Sequence, residues 1–220
     1  MTRKMLSLAA AALFAVPLAA QSAGFCSGGG ATEGISVDDM TFGVLGSTPD
    51  PADDCYGVVA DNDTAANVFP DGGDAWTFLA KDDDPGSVPQ GSGSIGDITF
   101  TLTADAGTAG SWTLSWIDSD PGTPPNFPLT LDLLGVLKAG SEFASYLFEA
   151  ETLTAANSPG SGAFDIVFTN QGGSNPDLSH LSVYYRDSGG GGGGQIPEPA
   201  TLGLLGLGLA ALGAIRRRSR

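Results

Sequence analysis

The chain has 220 residues, 25 Asp and Glu against nine Lys and Arg, and a formal net charge of −16. Acidity on this scale makes nucleic acid a poor partner, because a phosphate backbone is held by clustered Lys and Arg. A single histidine, His180, also excludes His-rich zinc sites and the H-E-x-x-H arrangement.

Arg3 and Lys4 precede an apolar run over residues 5–16, and small residues follow Pro17. This pattern predicts a secretory signal peptide over residues 1–23, cleaved somewhere in residues 20–23. Its implied partners are the general secretory machinery and signal peptidase. A transmembrane helix is the alternative, and the run is short for one. Between the signal peptide and the C-terminal tail, the body holds 24 of the acidic residues but only Lys81, Lys138 and Arg186, a net charge of −21. Cations, basic proteins and neutral sugars suit such a surface better than polyanions. Solubility alone is the simpler explanation. In an exported body, Cys26 and Cys55 are expected to form a disulfide. Closing that loop stabilises by about 3–4 kcal/mol in the chain-entropy model. Two free thiols are the alternative.

The body, residues 24–188, reads as one domain. Residues 35–44 predict a first strand, broken at Asp38 and Asp39. Residues 50–54 form a turn, 56–60 a short strand, 61–74 a long acidic loop and 75–81 another strand. Residues 82–96 read as a loop rich in Asp, Pro, Ser and Gly. Alternation then sharpens: Ile98, Phe100 and Leu102 share one face, and so do Trp112, Leu114 and Trp116. Residues 129–137 are nearly continuously apolar, which suits a strand covered on both faces. Residues 143–149 are its expected partner, with a helix over 141–154 as the alternative. Residues 163–169 and 181–186 complete the set. Seven to nine short strands separated by turns predict an all-β fold, an antiparallel β-sandwich or jelly-roll.

Candidate chemistry in the body is sparse. His180 shares a strand face with Ser182 and Tyr184, opposite the core, and no G-x-S-x-G elbow accompanies it, so a surface or hydrogen-bonded structural role is expected. Residues 91–96 formally match G-x-G-x-x-G, but they precede a strand rather than open a helix, and read as a loop. Asp61, Asp63, Asp71 and Asp74 are hard oxygen ligands close in sequence and are the candidates for a Ca²⁺ site. Their spacing is not that of an EF-hand, and solvated acidic turns are the alternative. Apart from that candidate ion, no cofactor is expected. Paired carboxylates for glycoside hydrolysis cannot be picked from 24. Of the aromatic residues that could stack on sugars, Trp112 and Trp116 read as core and Tyr184 as exposed.

The C-terminal end is the most specific part. Six glycines, 189–194, open a linker over residues 189–195 that tethers the domain flexibly. Residues 196–220 then give Pro197-Glu198-Pro199, an apolar segment over 200–215, and Arg216, Arg217 and Arg218. As a helix the apolar segment would span about 24 Å, somewhat under a hydrocarbon core of about 30 Å. Its arginines would remain on the cytoplasmic side. A rigid, helix-excluding tripeptide at the membrane surface stays extended and accessible to a protease. An ordinary stop-transfer anchor needs no such tripeptide. In this order, at the chain end, the three parts resemble the PEP-CTERM sorting signal. The resemblance covers about a tenth of the chain and implies processing by an exosortase, a membrane-embedded cysteine protease. It also implies transient anchoring in the inner membrane, then release to the cell surface or medium, in association with exopolysaccharide or biofilm. The tail residues are substrate residues on this reading, not catalytic ones.

These readings predict a non-enzymatic surface or matrix protein. A carbohydrate-binding β-sandwich is the alternative, and a polysaccharide-active hydrolase the third.

Overall fold

The computed structural model describes residues 24–26, 34–87, 90–169 and 173–188. The expected signal peptide, glycine-rich linker and sorting tail lie outside these residues. Among the described residues no helix is long and apolar enough to cross a membrane.

The domain is all-β, two antiparallel sheets of six strands each. The strands are β1 (Gly24–Phe25), β2 (Thr41–Val44), β3 (Asp50–Pro51), β4 (Asp54–Val59), β5 (Thr77–Asp82) and β6 (Gly91–Ile95). They continue as β7 (Ile98–Ala104), β8 (Ala109–Asp118), β9 (Leu129–Ala139), β10 (Glu142–Leu153), β11 (Gly160–Asp165) and β12 (Leu178–Asp187). The first sheet has the order β1-β4-β10-β9-β12-β5, and the second β3-β2-β11-β8-β7-β6. Residues alternate across each strand, so each sheet turns one row of apolar side chains inward. Phe100, Leu102, Trp112, Leu114 and Trp116 of the second sheet meet Leu131, Leu133, Leu137, Tyr146 and Phe148 of the first in one core. Stacked rings of Phe42 and Trp112, 5.1 Å apart, lie in that layer.

The apolar run of residues 129–137 becomes β9, near the middle of the first sheet, between β10 and β12. It is covered on both faces, as its composition predicts. Leu131, Leu133 and Leu137 belong to the core between the sheets, while Leu134 and Val136 belong to a second apolar cluster on the outer face. The helical alternative for residues 141–154 does not form. Those residues make β10, which pairs with β9 from Glu142↔Ala139 to Leu153↔Leu129 around the two-residue turn Gly140-Ser141. Pairing wins because Phe143 and Leu147 find apolar partners on one face while Tyr146 and Phe148 find them on the other. A helix would gather only one of those sets on a single side.

One reading from sequence is refined and one changes. The break expected at Asp38 and Asp39 takes the form of a short 3-10 helix, Val37–Asp39. The Asp39 carboxylate accepts the Ser36 N–H at 2.7 Å and holds the turn that opens β2. Residues 91–95, expected as loop, form β6, which pairs with β7. Its glycines are required by a close approach: a Cβ on Gly91 or Gly93 would run into the Lys81 or Leu79 carbonyl of β5. The edges of the two sheets thus meet backbone to backbone, where no side chain fits. Asp82, buried at the end of β5, accepts the Ala104 N–H of β7 at 2.9 Å and ties the same seam.

Candidate functional site

The acidic loop of residues 60–76 lies across the outer face of the first sheet as a strap. Val68, Phe69 and Trp76 from the strap pack on Leu134, Val136, Phe143, Leu147 and Tyr184 of the sheet. Trp76 Nε1 donates to the Phe69 carbonyl at 3.3 Å, which folds the strap on itself. Its turn at Thr64–Asn67 is braced by Asn67, whose Oδ1 accepts the Thr64 N–H at 2.8 Å.

Polar contacts between strap and sheet use nearly every cation of the body. His180 Nε2 lies 2.8 Å from Asp63 Oδ1, and Ser182 Oγ donates to Asp63 Oδ2 at 2.6 Å. The Tyr184 hydroxyl donates to the Asp63 carbonyl at 3.2 Å. Lys138 Nζ donates to the Asp61 carbonyl at 2.6 Å. Arg186 joins Asp132 of β9 through Nε at 2.9 Å and Asp71 of the strap through its NH1 nitrogen at 2.6 Å. Its guanidinium also lies 4.4 Å from the centroid of the Trp76 ring. Burial works to raise the Asp63 carboxyl, but hydrogen bonds from His180 and Ser182, with the imidazole charge, outweigh it and hold the group below its ordinary value. Burial lowers the Lys138 ammonium against the pull of Asp63, Asp61 and Glu142. The remaining cation, Lys81, pairs with Asp83 at 2.7 Å on the surface.

The four aspartates named for calcium are therefore directed to different tasks. Asp63 serves His180 and Ser182, Asp71 serves Arg186, Asp61 offers its backbone to Lys138, and Asp74 is exposed. Among the described residues, no three His, Cys, Asp or Glu side chains come together to hold a metal ion. His180 occupies the hydrogen-bonded structural place read from its strand face. Tyr184, read as exposed, is buried beneath the strap, because the strap was legible only as a polar loop. Trp112 and Trp116 are core, and their indole N–H groups donate to the Thr41 and Thr154 carbonyls. Cys26 and Cys55 are joined by a disulfide that fastens β1 to β4, with their Cα atoms 5.1 Å apart.

Two further features lie elsewhere. Glu151 of β10 has its carboxyl pushed up to about 6, chiefly by burial and then by the charges of Asp53 and Asp50. It follows a bulge at Ala150, whose N–H is accepted by Asp132, while Asp53 accepts the neighbouring Glu149 N–H. A cavity of about 460 Å³ opens where the end of β8 meets the proline-rich turn before β9, and Trp116, Ile117, Asp118, Asn126 and Phe127 are among its walls. Glu151 is not one of them.

Outside this domain, residues 195–218 match the family model of the PEP-CTERM protein-sorting motif. The chain thus carries a PEP-CTERM sorting signal, which implies export and processing by an exosortase. No curated protein and no solved structure matches the chain.

Proposed function

We propose that this exported chain is a non-enzymatic structural or adhesive component of an extracellular matrix, delivered by its sorting tail. The observation that carries the reading is the motif match at residues 195–218, which includes Pro197, Glu198, Pro199 and the arginines Arg216, Arg217 and Arg218. The domain is exported with its signal peptide removed, held at the inner membrane through the apolar segment, then cut free near the Pro-Glu-Pro motif. A non-enzymatic role is supported by how the reactive side chains are engaged. The sole histidine is bonded to Asp63 under the strap, and both cysteines are in a disulfide. The large negative charge keeps such a domain dispersed in the medium.

Intact mass of the protein recovered from medium and from membranes tests this. A released form ending near residues 197–199 is expected. A full-length, membrane-bound form still carrying Arg220 would overturn the processing step and leave an ordinary anchor.

A further inference from the structure

The outer face of the second sheet differs from the rest of the surface. Strands β6, β7 and β8 contain a single ionisable side chain, Asp118, at the end of β8. The residues facing outward are mostly Ser and Thr. Ser92 faces Thr101 across β6 and β7, and Thr101 faces Ser115 across β7 and β8. In the next row Thr103 faces Thr113. Hydroxyls on such a sheet repeat about every 4.8 Å across strands and about 6.7 Å along them. At one corner Thr99 faces Ile117, which is 67 % exposed and forms part of the wall of the 460 Å³ cavity. The hydroxyl array therefore runs directly into a recess that combines rings, Trp116 and Phe127, with the polar groups of Asn126 and Asp118.

We infer that the outer face of β6, β7 and β8, with the cavity at its Ile117 corner, binds an uncharged, hydroxyl-rich polymer, a neutral glycan chain. Charge selects this occupant. The body carries a net −21, so a polyanion is repelled by everything around the face. A polycation would find carboxylates on the other surfaces and none along the central rows here. An apolar protein partner would find only Ile117 as a large exposed anchor on this face, too little for a hydrophobic interface core. A glycan presents alternating apolar ring faces and hydroxyl rims. The grid supplies donors and acceptors in repeating rows, each Ser or Thr offering both. The cavity has the size and lining of small-ligand sites, apolar walls with a few polar groups that fix orientation. Hydrogen bonds between uncharged groups make such binding nearly insensitive to salt. The inference deepens the matrix reading, on which it rests for the setting in which a glycan is met.

The test uses the full chain in a zwitterionic detergent and an immobilised panel of neutral glucan, mannan and galactan chains, with alginate as polyanion and chitosan as polycation. Retention on at least one neutral chain is expected, unchanged between low and high salt. Thr101→Val with Thr113→Val keeps side-chain shape and removes two hydroxyls at diagonal positions of β7 and β8; it should weaken retention about tenfold, a change of about 1.4 kcal/mol. Ile117→Asp, at a side chain away from the core, should weaken it as well by placing a charge at the recess. This variant keeps the test decisive if the valine pair disturbs folding. Retention on no neutral chain, retention on chitosan alone, or retention unaltered by both variants would overturn the inference. Failure of exosortase processing would appear in the intact mass and leave this assay untouched.

Discussion

The outer face of the first sheet carries Lys138, His180 and Arg186 and is roofed by residues 60–76, whereas among the described residues no strap lies over the rows of Ser and Thr on the outer face of the second. The roofed face lies on β10, β9 and β12 inside the first sheet, and the open face on β8 and β7 inside the second with β6 at its edge, so position alone does not account for the difference. It lies in what each face would expose. Leu134, Val136, Phe143 and Leu147 would leave a broad apolar patch in water if nothing covered them. The strap supplies Val68, Phe69 and Trp76 to cover it, and its backbone and carboxylates take up the cations that stand among those apolar side chains. Strands β6, β7 and β8 of the second sheet need no such cover, because apart from Ile117 their outward residues are mostly exposed or half-exposed hydroxyls. In a chain with few cations, two of the body's three basic side chains are thus used inside the fold, not displayed to a partner.

The contrast is broken most severely at Arg186. Its side chain is 4 % exposed, and replacing it by alanine leaves Asp132 buried with its charge uncompensated and Asp71 released. Arg186→Ala should cost about 3–5 kcal/mol in denaturant unfolding. The strap should become the first site of limited proteolysis, while β6 to β8 keep their protection from hydrogen exchange. Cys26→Ser with Cys55→Ser acts at the other end of the strapped sheet. Removing the link across 29 residues should cost about 3 kcal/mol, and reducing agent should destabilise the unaltered protein by the same amount and the variant by none.

Much of this arrangement was legible from the residues and some was not. The alternation of β7 and β8 and the continuous run of β9 identify inward rows and a doubly covered strand, because burial of one face or two writes itself into apolar spacing. The doubly covered strand even demands a roof on its outer side. What forms that roof was hidden, since Val68, Phe69 and Trp76 are separated by Asp and Gly and show no period. The strand β6 was hidden for another reason. Gly91 and Gly93 answer to the carbonyls of a strand in the opposite sheet, a constraint that no local pattern records. For function, the Pro-Glu-Pro, apolar and arginine segments of the tail were plain in sequence and lie outside the described residues, while the hydroxyl grid emerges only from the register of β6, β7 and β8.

Acid sharpens the comparison further, because two carboxyls respond in opposite directions. Glu151 has a folded value of about 6, above its ordinary 4.5, so the folded state holds the proton more tightly than the unfolded. Stability contributed by that proton is present below pH 4.5 and is lost as pH rises through about 6. Asp63 is held below its ordinary value of 3.8, so its contribution is complete above that pH and is lost as pH falls further. The melting temperature should therefore rise slightly on acidification from neutral pH and then fall as the strap loosens. Glu151→Gln should flatten the first limb and raise the midpoint at pH 7 by about 2–4 °C, for roughly 1 kcal/mol after allowance for its partial exposure. Asp63→Asn should shallow the second limb, leaving the part that comes from the carboxylates paired with Arg186.

The smallest effect isolates the two faces most cleanly, because the same chemical change is made on each. Ser182 is fully buried under the strap and donates to Asp63 at 2.6 Å. Ser182→Ala removes a bond to a charged acceptor and should cost about 1–2 kcal/mol. Ser115 lies half-exposed on the open face, where its weak 3.5 Å contact to the Thr101 carbonyl competes with water. Ser115→Ala, or Thr101→Val with its near-identical shape and strand preference, should move stability by less than about 0.5 kcal/mol. Equal losses on both faces in parallel denaturant titrations would mean that the open grid is held for folding, like the roofed face. A loss confined to Ser182 leaves the hydroxyls of the second sheet with no structural task, and hence available to a ligand.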